Sequence, residues 1–559
     1  MQTLSQTVGM QIAQKGGGSG EGVITIRKED HVGTVIRPKE EDMSKKKNLW
    51  LLMAGSLTMS VITVTLAFMP SARLSAASSF DNVQVNQVLP GPFPQNKQNE
   101  PSLAQNPTNP LNLIASSNDE IGLPACTDTT PSSCPFTRGI SVSGFYASFD
   151  GGLTWPCQGL IDLSAFAEYA FGDPSQAFDS RGNAYYGTLA FPFPPTTDQL
   201  ATGLNADFFV AKSTDGGCTY SSTALVSGAS PAIFDDKDAI TADANLVSPF
   251  RDNVYAAWTK FTRGGDQIVF SRSTDGGATW SNPLPISPSY NNNVVGGRQG
   301  ASVKVGPDGT VYVVWLDTVD KQTVQRLSIS HDGGKTFPGQ NITVATVTDN
   351  FVSPVPGSSF RQDARAFPSF AISPDGTLYV AWSNRTGDPT TGHALVLLVK
   401  STTGGLTWTT PVVAGNVSGR SAFFASLAAD PRNHVHVVFL AMDDEPTGTA
   451  PGPGVVTYDA YSTQSTNGGA TFSSPLIIST ATSDPDGSST NGLRAQFLGD
   501  YITAVADVSH VYAVWTDSRN ATPCGAVDAF RAGGSKPDVI TQCPTTFGNT
   551  DIVLGIVTP

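Results

Sequence analysis

Seven times along the chain a short polar-apolar strand pattern, a turn and an alternating aromatic strand pattern recur in that order. The blocks are EPSLAQNPTNPLNLIAS from Glu100, DPSQAFDSRGNAYYGTL from Asp173, DAITA before NVYAAW from Asp238, GASVKVGPDGTVYVVW from Gly300, FPSFAISPDGTLYVAW from Phe367, FASLAADPRNHVHVVF from Phe424 and DYITAVADVSHVYAVW from Asp500. Alternation with a period of two places one face of each strand in a core, and the intervening Pro, Gly, Asn and Asp positions predict the turns. The chain is therefore all-β, built from seven similar units.

A second element follows in six of the units: SFDGGLTW (148–155), STDGGCTY (213–220), STDGGATW (273–280), SHDGGKTF (330–337), STTGGLTW (401–408) and STNGGATF (465–472), spaced 57 to 71 residues apart. The paired glycines allow positive φ, the Asp or Asn side chain can accept backbone N–H groups, and the closing aromatic residue packs back on the sheet. This motif is the Asp box, so the chain resembles the Asp-box, or BNR-repeat, β-propellers of the sialidase superfamily. The resemblance implies four-stranded blades, seven by the block count with six as the alternative, over residues 80–559. It also implies that Asp150, Asp215, Asp275 and Asp332 form turns on outer hairpins and are not catalytic. The seventh unit lacks a box and ends in Asp551–Val557, and the stretch Asn82–Val88 is placed to add a strand to it and close the ring.

Ahead of the repeats, Asn48–Met69 has no charged residue and follows Lys45, Lys46 and Lys47. That is long enough to span a bilayer with the lysines inside. Residues 1–47 form a cytoplasmic head or a mis-assigned start before Met43, 48–69 a transmembrane or signal segment, and 70–79 a linker with a small-residue cleavage site near Ala77. The expected location is the cell surface or the medium. All six cysteines lie beyond this segment, which predicts disulfides: Cys126 with Cys134, Cys524 with Cys543, and Cys157 with Cys218. The net charge of −14 excludes binding to nucleic acid through phosphate neutralisation. No cofactor motif is present, and no metal-ligand set is assigned, His434 and His436 reading as packing substitutes for tyrosines of the other units. A monomer is expected.

Aligned on the first residue of each block, Glu100, Asp173, Asp238, Gly300, Phe367, Phe424 and Asp500 open the innermost strands, which converge on the axis of a propeller. Four are carboxylates on consecutive blades, while Arg298 and Arg365 stand two residues ahead on blades four and five. The mouth is thus expected to be acidic on one side and basic and aromatic on the other, with Arg298, Arg365, Arg494, Phe367 and Phe424 as substrate-binding residues. The sialidase resemblance further implies three arginines on a substrate carboxylate, a tyrosine nucleophile paired with a glutamate, and an aspartate acid/base. Tyr501 occupies the place of the tyrosine, with Glu100, Asp173, Asp238 and Asp500 as the acids. Asn99 stands where the family carries its first arginine. The readings are therefore an exo-glycosidase acting on extracellular glycans, and, as the alternative, a non-catalytic carbohydrate- or protein-binding propeller.

Overall fold

The computed structural model describes residues 81–87, 91–126, 139–192, 206–228, 233–262, 265–288, 297–319, 322–338, 341–348, 366–386, 393–443 and 456–559. The charge-free segment 48–69, Cys134 and Arg365 lie outside them. Among the described residues no helix is long and apolar enough to cross a membrane.

The strands form seven antiparallel sheets, each a blade. Blade one runs Gln98–Gln105, Leu113–Asp119, Ser143–Ser148 and Cys157–Leu160 from inner to outer edge, and blades three to six repeat this order. In blade two the inner edge is split into Glu168–Ala170 and Ser175–Phe178, both paired with Ala184–Pro192. Blade seven carries Thr503–Ala506, Val511–Asp517 and Asp551–Val557, and its outer strand is Asp81–Gln84 from the other end of the chain. The ring is closed by this pairing, in which Val83 stands opposite Leu554. The segment between the second and third strands of blade seven holds two short helices, Gly525–Arg531 and Val539–Gln542, tied by Cys524–Cys543.

Alternation along the strands explains the packing. One apolar cluster lies at each junction between neighbouring blades, from Leu113 with Tyr512 and Leu554 between blades one and seven to Tyr379 with Val437 and Phe439 between five and six. The tryptophans that end the second-strand pattern, Trp258, Trp315, Trp382 and Trp515, are fully buried. A buried aromatic side chain of that size contributes about 3–5 kcal/mol against truncation to alanine.

The six repeated turns share one hydrogen-bond plan. In the first, Ser148 Oγ donates to Asp150 (2.8 Å), the Gly152 N–H donates back to Ser148 Oγ (2.9 Å), and Thr154 donates from both N–H and Oγ1 to Asp150. Asn467 and Thr403 fill the aspartate's place in the last two turns. The second glycine of each turn has positive φ and lies flat on the preceding blade: a Cβ on Gly217 would meet Ile114 at 2.4 Å, and one on Gly334 would meet Phe270 at 2.7 Å. The motif therefore needs its glycines for contact between blades as well as for the turn.

Cys157 on the outer strand of blade one is bonded to Cys218 in the turn of blade two, with Cα atoms 4.9 Å apart. Cys126 is also disulfide-bonded, its expected partner Cys134 being outside those residues. The two described disulfides suit an oxidising compartment.

Candidate functional site

Pairing to the second strands fixes which residue opens each inner strand. Ser102, Ser175, Ala239, Ser302, Ser369, Ser426 and Thr503 stand opposite Ser116, Gly187, Ala257, Val314, Ala381, Val438 and Val514, which are equivalent positions of the seven aromatic strands. Two places earlier come Glu100, Asp173, Lys237, Gly300, Phe367, Phe424 and Tyr501. The sequence alignment is thus one residue late in blade three and one residue early in blade seven, where it sets Asp238 and Asp500 in these places. It is keyed there to Ala242 and Ala504, whereas Thr241 and Val505 hold the positions matching Ala104 and Ala177. The ring contains a lysine and a tyrosine where two further carboxylates are expected.

Several of these residues adopt φ values available to few side chains: Glu100 at 55°, Asp173 at 50°, Lys237 at 53° and Phe424 at 51°. In blades one, three, four and six the register shifts at this point, so each inner strand bulges as it reaches the axis. Strain of this kind persists only where surrounding structure enforces it.

Lys237 is the centre of the arrangement. Its Nζ lies 2.8 Å from Asp500 Oδ2, 3.1 Å from Asp173 Oδ2 and 3.7 Å from Glu100 Oε1, and 5.8 Å from the centroid of the Tyr501 ring. Burial opposes its charge, but the carboxylates of Asp173, Asp500, Glu100 and Asp236 more than compensate and hold the ammonium well above its ordinary range. Asn118 ties the acids together, donating to Asn99 and Glu100 (both 2.9 Å) and accepting from the Asp173 N–H. Asp173 is nonetheless raised, by burial and by Asp236, against the pull of Lys237.

Beside this cage an axial cavity of about 210 Å³ opens, to which every blade contributes. Asp238, Asp500, Tyr501, Phe367 and Phe424 line it, as do Lys237 and a second lysine, Lys304. Gly300 makes room for the aromatic wall, since a Cβ there would lie 2.4 Å from the Phe367 ring. Asp238 accepts from Ser175 Oγ at 2.7 Å through Oδ2, while Oδ1 has no partner on another described residue. Burial, with Asp173 and Asp236 nearby, pushes its carboxyl well above the ordinary carboxylate range, toward the protonated form. Tyr501 is half-buried, its hydroxyl 3.5 Å from the Pro174 carbonyl. Burial and the four acids Glu100, Asp173, Asp238 and Asp500 push the phenol well above its ordinary value.

The structure brings together Glu100, Asp173, Asp238, Asp500, Tyr501, Phe367 and Phe424. It does not bring Arg298 or Arg494 to them. Arg298 is fully buried, bonded through Nε to Asp317 (3.0 Å) and through Nη1 to the carbonyls of Asp266 and Pro288. Its charge is spent within blade four because Asp317 stands directly opposite it in the strand pair. Arg494 stacks on Phe530 of the helical insert, 4.8 Å from the ring centroid. Lys237, Asn118 and Lys304 go unread in the sequence. The signal for Lys237 is a single cation inside the acidic run Asp235–Asp238 at the start of an otherwise apolar strand.

No protein-family model matches the chain, and no curated protein matches it. Solved structures do. A Dyadobacter fermentans protein of unknown function is 16% identical over 86% of this chain and 98% of that one, with a TM-score of 0.41. A leech intramolecular trans-sialidase is 12% identical over 64% and 67%, with a TM-score of 0.41. A Hadza microbial sialidase is 14% identical over 86% and 95%, with a TM-score of 0.37.

Proposed function

We propose that this is an exported glycoside hydrolase of the sialidase-like propeller type, acting on extracellular glycans at the axial cavity. The observation that carries the reading is Asp238: a carboxyl on the cavity wall that burial pushes toward its protonated form, one of whose oxygens has no hydrogen-bond partner among the described residues. It is suited to donate its proton to the leaving glycosidic oxygen as the C–O bond breaks. Tyr501 Oη then bonds to the anomeric carbon, its own proton passing to a neighbouring carboxylate, with Glu100 in the role the sialidase resemblance gives it. Water releases the sugar in the second step. The acids around Tyr501 make a resting phenolate costly, so proton loss accompanies bond formation. Phe367 and Phe424 supply an apolar wall for a sugar face. The disulfides and the charge-free segment 48–69 support export, as a membrane-anchored or a cleaved form.

The sialidase clamp on a substrate carboxylate is not reproduced by the described residues at the mouth. Asn99 replaces one arginine, Arg298 is engaged with Asp317, and Lys237 is neutralised by its acids. This favours a sugar other than sialic acid, and it also supports the second reading, a binding propeller without turnover. A panel of fluorogenic glycosides separates them. Hydrolysis abolished in Asp238→Asn and in Tyr501→Phe supports the enzyme. Saturable glycan binding with no turnover of any substrate selects the binding module and discards the hydrolase.

A further inference from the structure

The axial cavity is built in layers, because successive inward-facing positions on each inner strand lie two residues apart, or about 6–7 Å. Below the ring of Lys237 and Tyr501 comes a layer of hydroxyls that stitch blade to blade: Ser175 donates to Asp238 (2.7 Å), Ser369 accepts from the Leu427 N–H (2.8 Å), Ser426 accepts from the Ala504 N–H (2.9 Å) and Thr503 donates to the Pro101 carbonyl (3.2 Å). The layer below that holds Lys304 on blade four. Its equivalents, fixed by the same strand pairing, are Ala104, Ala177, Thr241, Ala371, Ala428 and Val505.

One lysine among six small or apolar equivalents stands out in this layer. Lys304 is exposed, lines the cavity, and has no hydrogen-bond or ion-pair partner among the described residues. The contrast with Lys237, caged by three carboxylates two layers above, is sharp. A cation that faces a water-accessible cavity with no carboxylate beside it is available to an anion that enters with the ligand.

We infer that the inner end of the axial cavity is an anion subsite, in which Lys304 takes a carboxylate or sulfate group carried by the sugar. The inference rests on the glycan reading above and narrows it: the substrate is an acidic sugar whose charge is met by a lysine deep in the channel and not by an arginine clamp at the mouth. The anion also sets the direction of entry, with its charged substituent leading.

Reductive ¹³C-methylation of the intact chain, which keeps lysine charge, allows a direct test. The Lys304 resonance is identified by its loss in Lys304→Arg, and is then followed in titrations with glucuronate, glucose and inorganic sulfate. The expected result is a saturable shift with glucuronate and with sulfate and none with glucose, and binding of glucuronate about ten- to a hundredfold weaker in Lys304→Met than in the parent, the range that one charge-assisted hydrogen bond supplies. A response to sulfate alone keeps the anion site and overturns its link to an acidic sugar, while the glycan reading then stands or falls by whether neutral glycosides bind or turn over. A Lys304 resonance unmoved by either anion overturns the inference, and it does so without touching the glycan reading if glucose or another neutral sugar still binds at the mouth and quenches aromatic fluorescence.

Discussion

Lys237 is the residue on which the mouth depends, and its replacement has a calculable sign. Lys237→Met leaves Glu100, Asp173 and Asp500 buried around a missing cation. Removing one partner of a buried ionic group costs about 3–5 kcal/mol at neutral pH. Because the stranded carboxyls then favour protonation, part of that loss returns at pH 5, and urea unfolding of parent and variant at pH 7 and pH 5 gives the comparison. A loss that is equal at both values refutes the charge account. At this scale the sequence is only partly legible. Glu100, Asp173, Phe367 and Phe424 fall where a blade alignment sends them, since a repeated strand start is a geometric constraint visible as spacing. Asp238 and Asp500 do not, because the alignment keys on Ala242 and Ala504, each one residue from the position that strand pairing fixes, and a slip of one exchanges which side chain faces the axis. Which cations reach the cavity depends on neighbours across blades: Arg298 meets Asp317 in its own blade, whereas Lys237 meets acids from blades one, two and seven.

The repeated turns are the elements on which pH acts most simply. Hydrogen bonds from Thr336 and Ser330 hold the largely exposed Asp332 carboxyl down to about 2, although what burial it has pushes the other way. A depressed folded-state value means that the stabilisation is complete above the ordinary carboxylate range and is lost as pH falls from about 4 through 2. Asp150, Asp215 and Asp275 shift in the same direction. The expected outcome is a melting temperature that declines below pH 4 and a shallower decline in Asp332→Asn, measured by calorimetry. Glu168 in the split inner edge of blade two behaves oppositely. Burial and the carboxylate of Asp207 push it up to about 8, so its contribution is unfavourable as pH rises from the ordinary range through 8. Glu168→Gln should therefore stabilise the protein at pH 9 and have little effect at pH 4, and a variant destabilised at both values contradicts this. Element identity was the most legible level, for alternating strands and a six-fold turn motif are local patterns. The role of the second turn glycine was not, since the Ile114 or Phe270 it rests on belongs to the blade before.

For the whole ring, the junction between blades one and two carries the Cys157–Cys218 disulfide, which closes a loop of 61 residues. Loop closure of that length is worth about 4 kcal/mol in the chain-entropy model. The double variant Cys157→Ala with Cys218→Ala should lose about 2–4 kcal/mol of unfolding free energy in denaturant, while Cys524→Ala with Cys543→Ala should first loosen the insert around the helix Gly525–Arg531, as read by hydrogen exchange. Equal protection loss throughout both variants speaks against separate roles. Seven units and the joining of the two ends were foreseeable from the block count and from a spare strand ahead of the first block. The pairing of Asp81–Gln84 with Asp551–Val557 has a consequence in time. Gln84 and Asp551 touch although 467 positions separate them. At about 5–20 residues per second of synthesis, that strand leaves the ribosome on the order of half a minute to a minute and a half before its partner exists. Blades one to six can assemble in the interval as an open arc, but the clasp cannot. Completion of the circle waits until Asp551–Val557 has emerged, and the unpaired leading strand is what the cell must keep from sticking to something else until then.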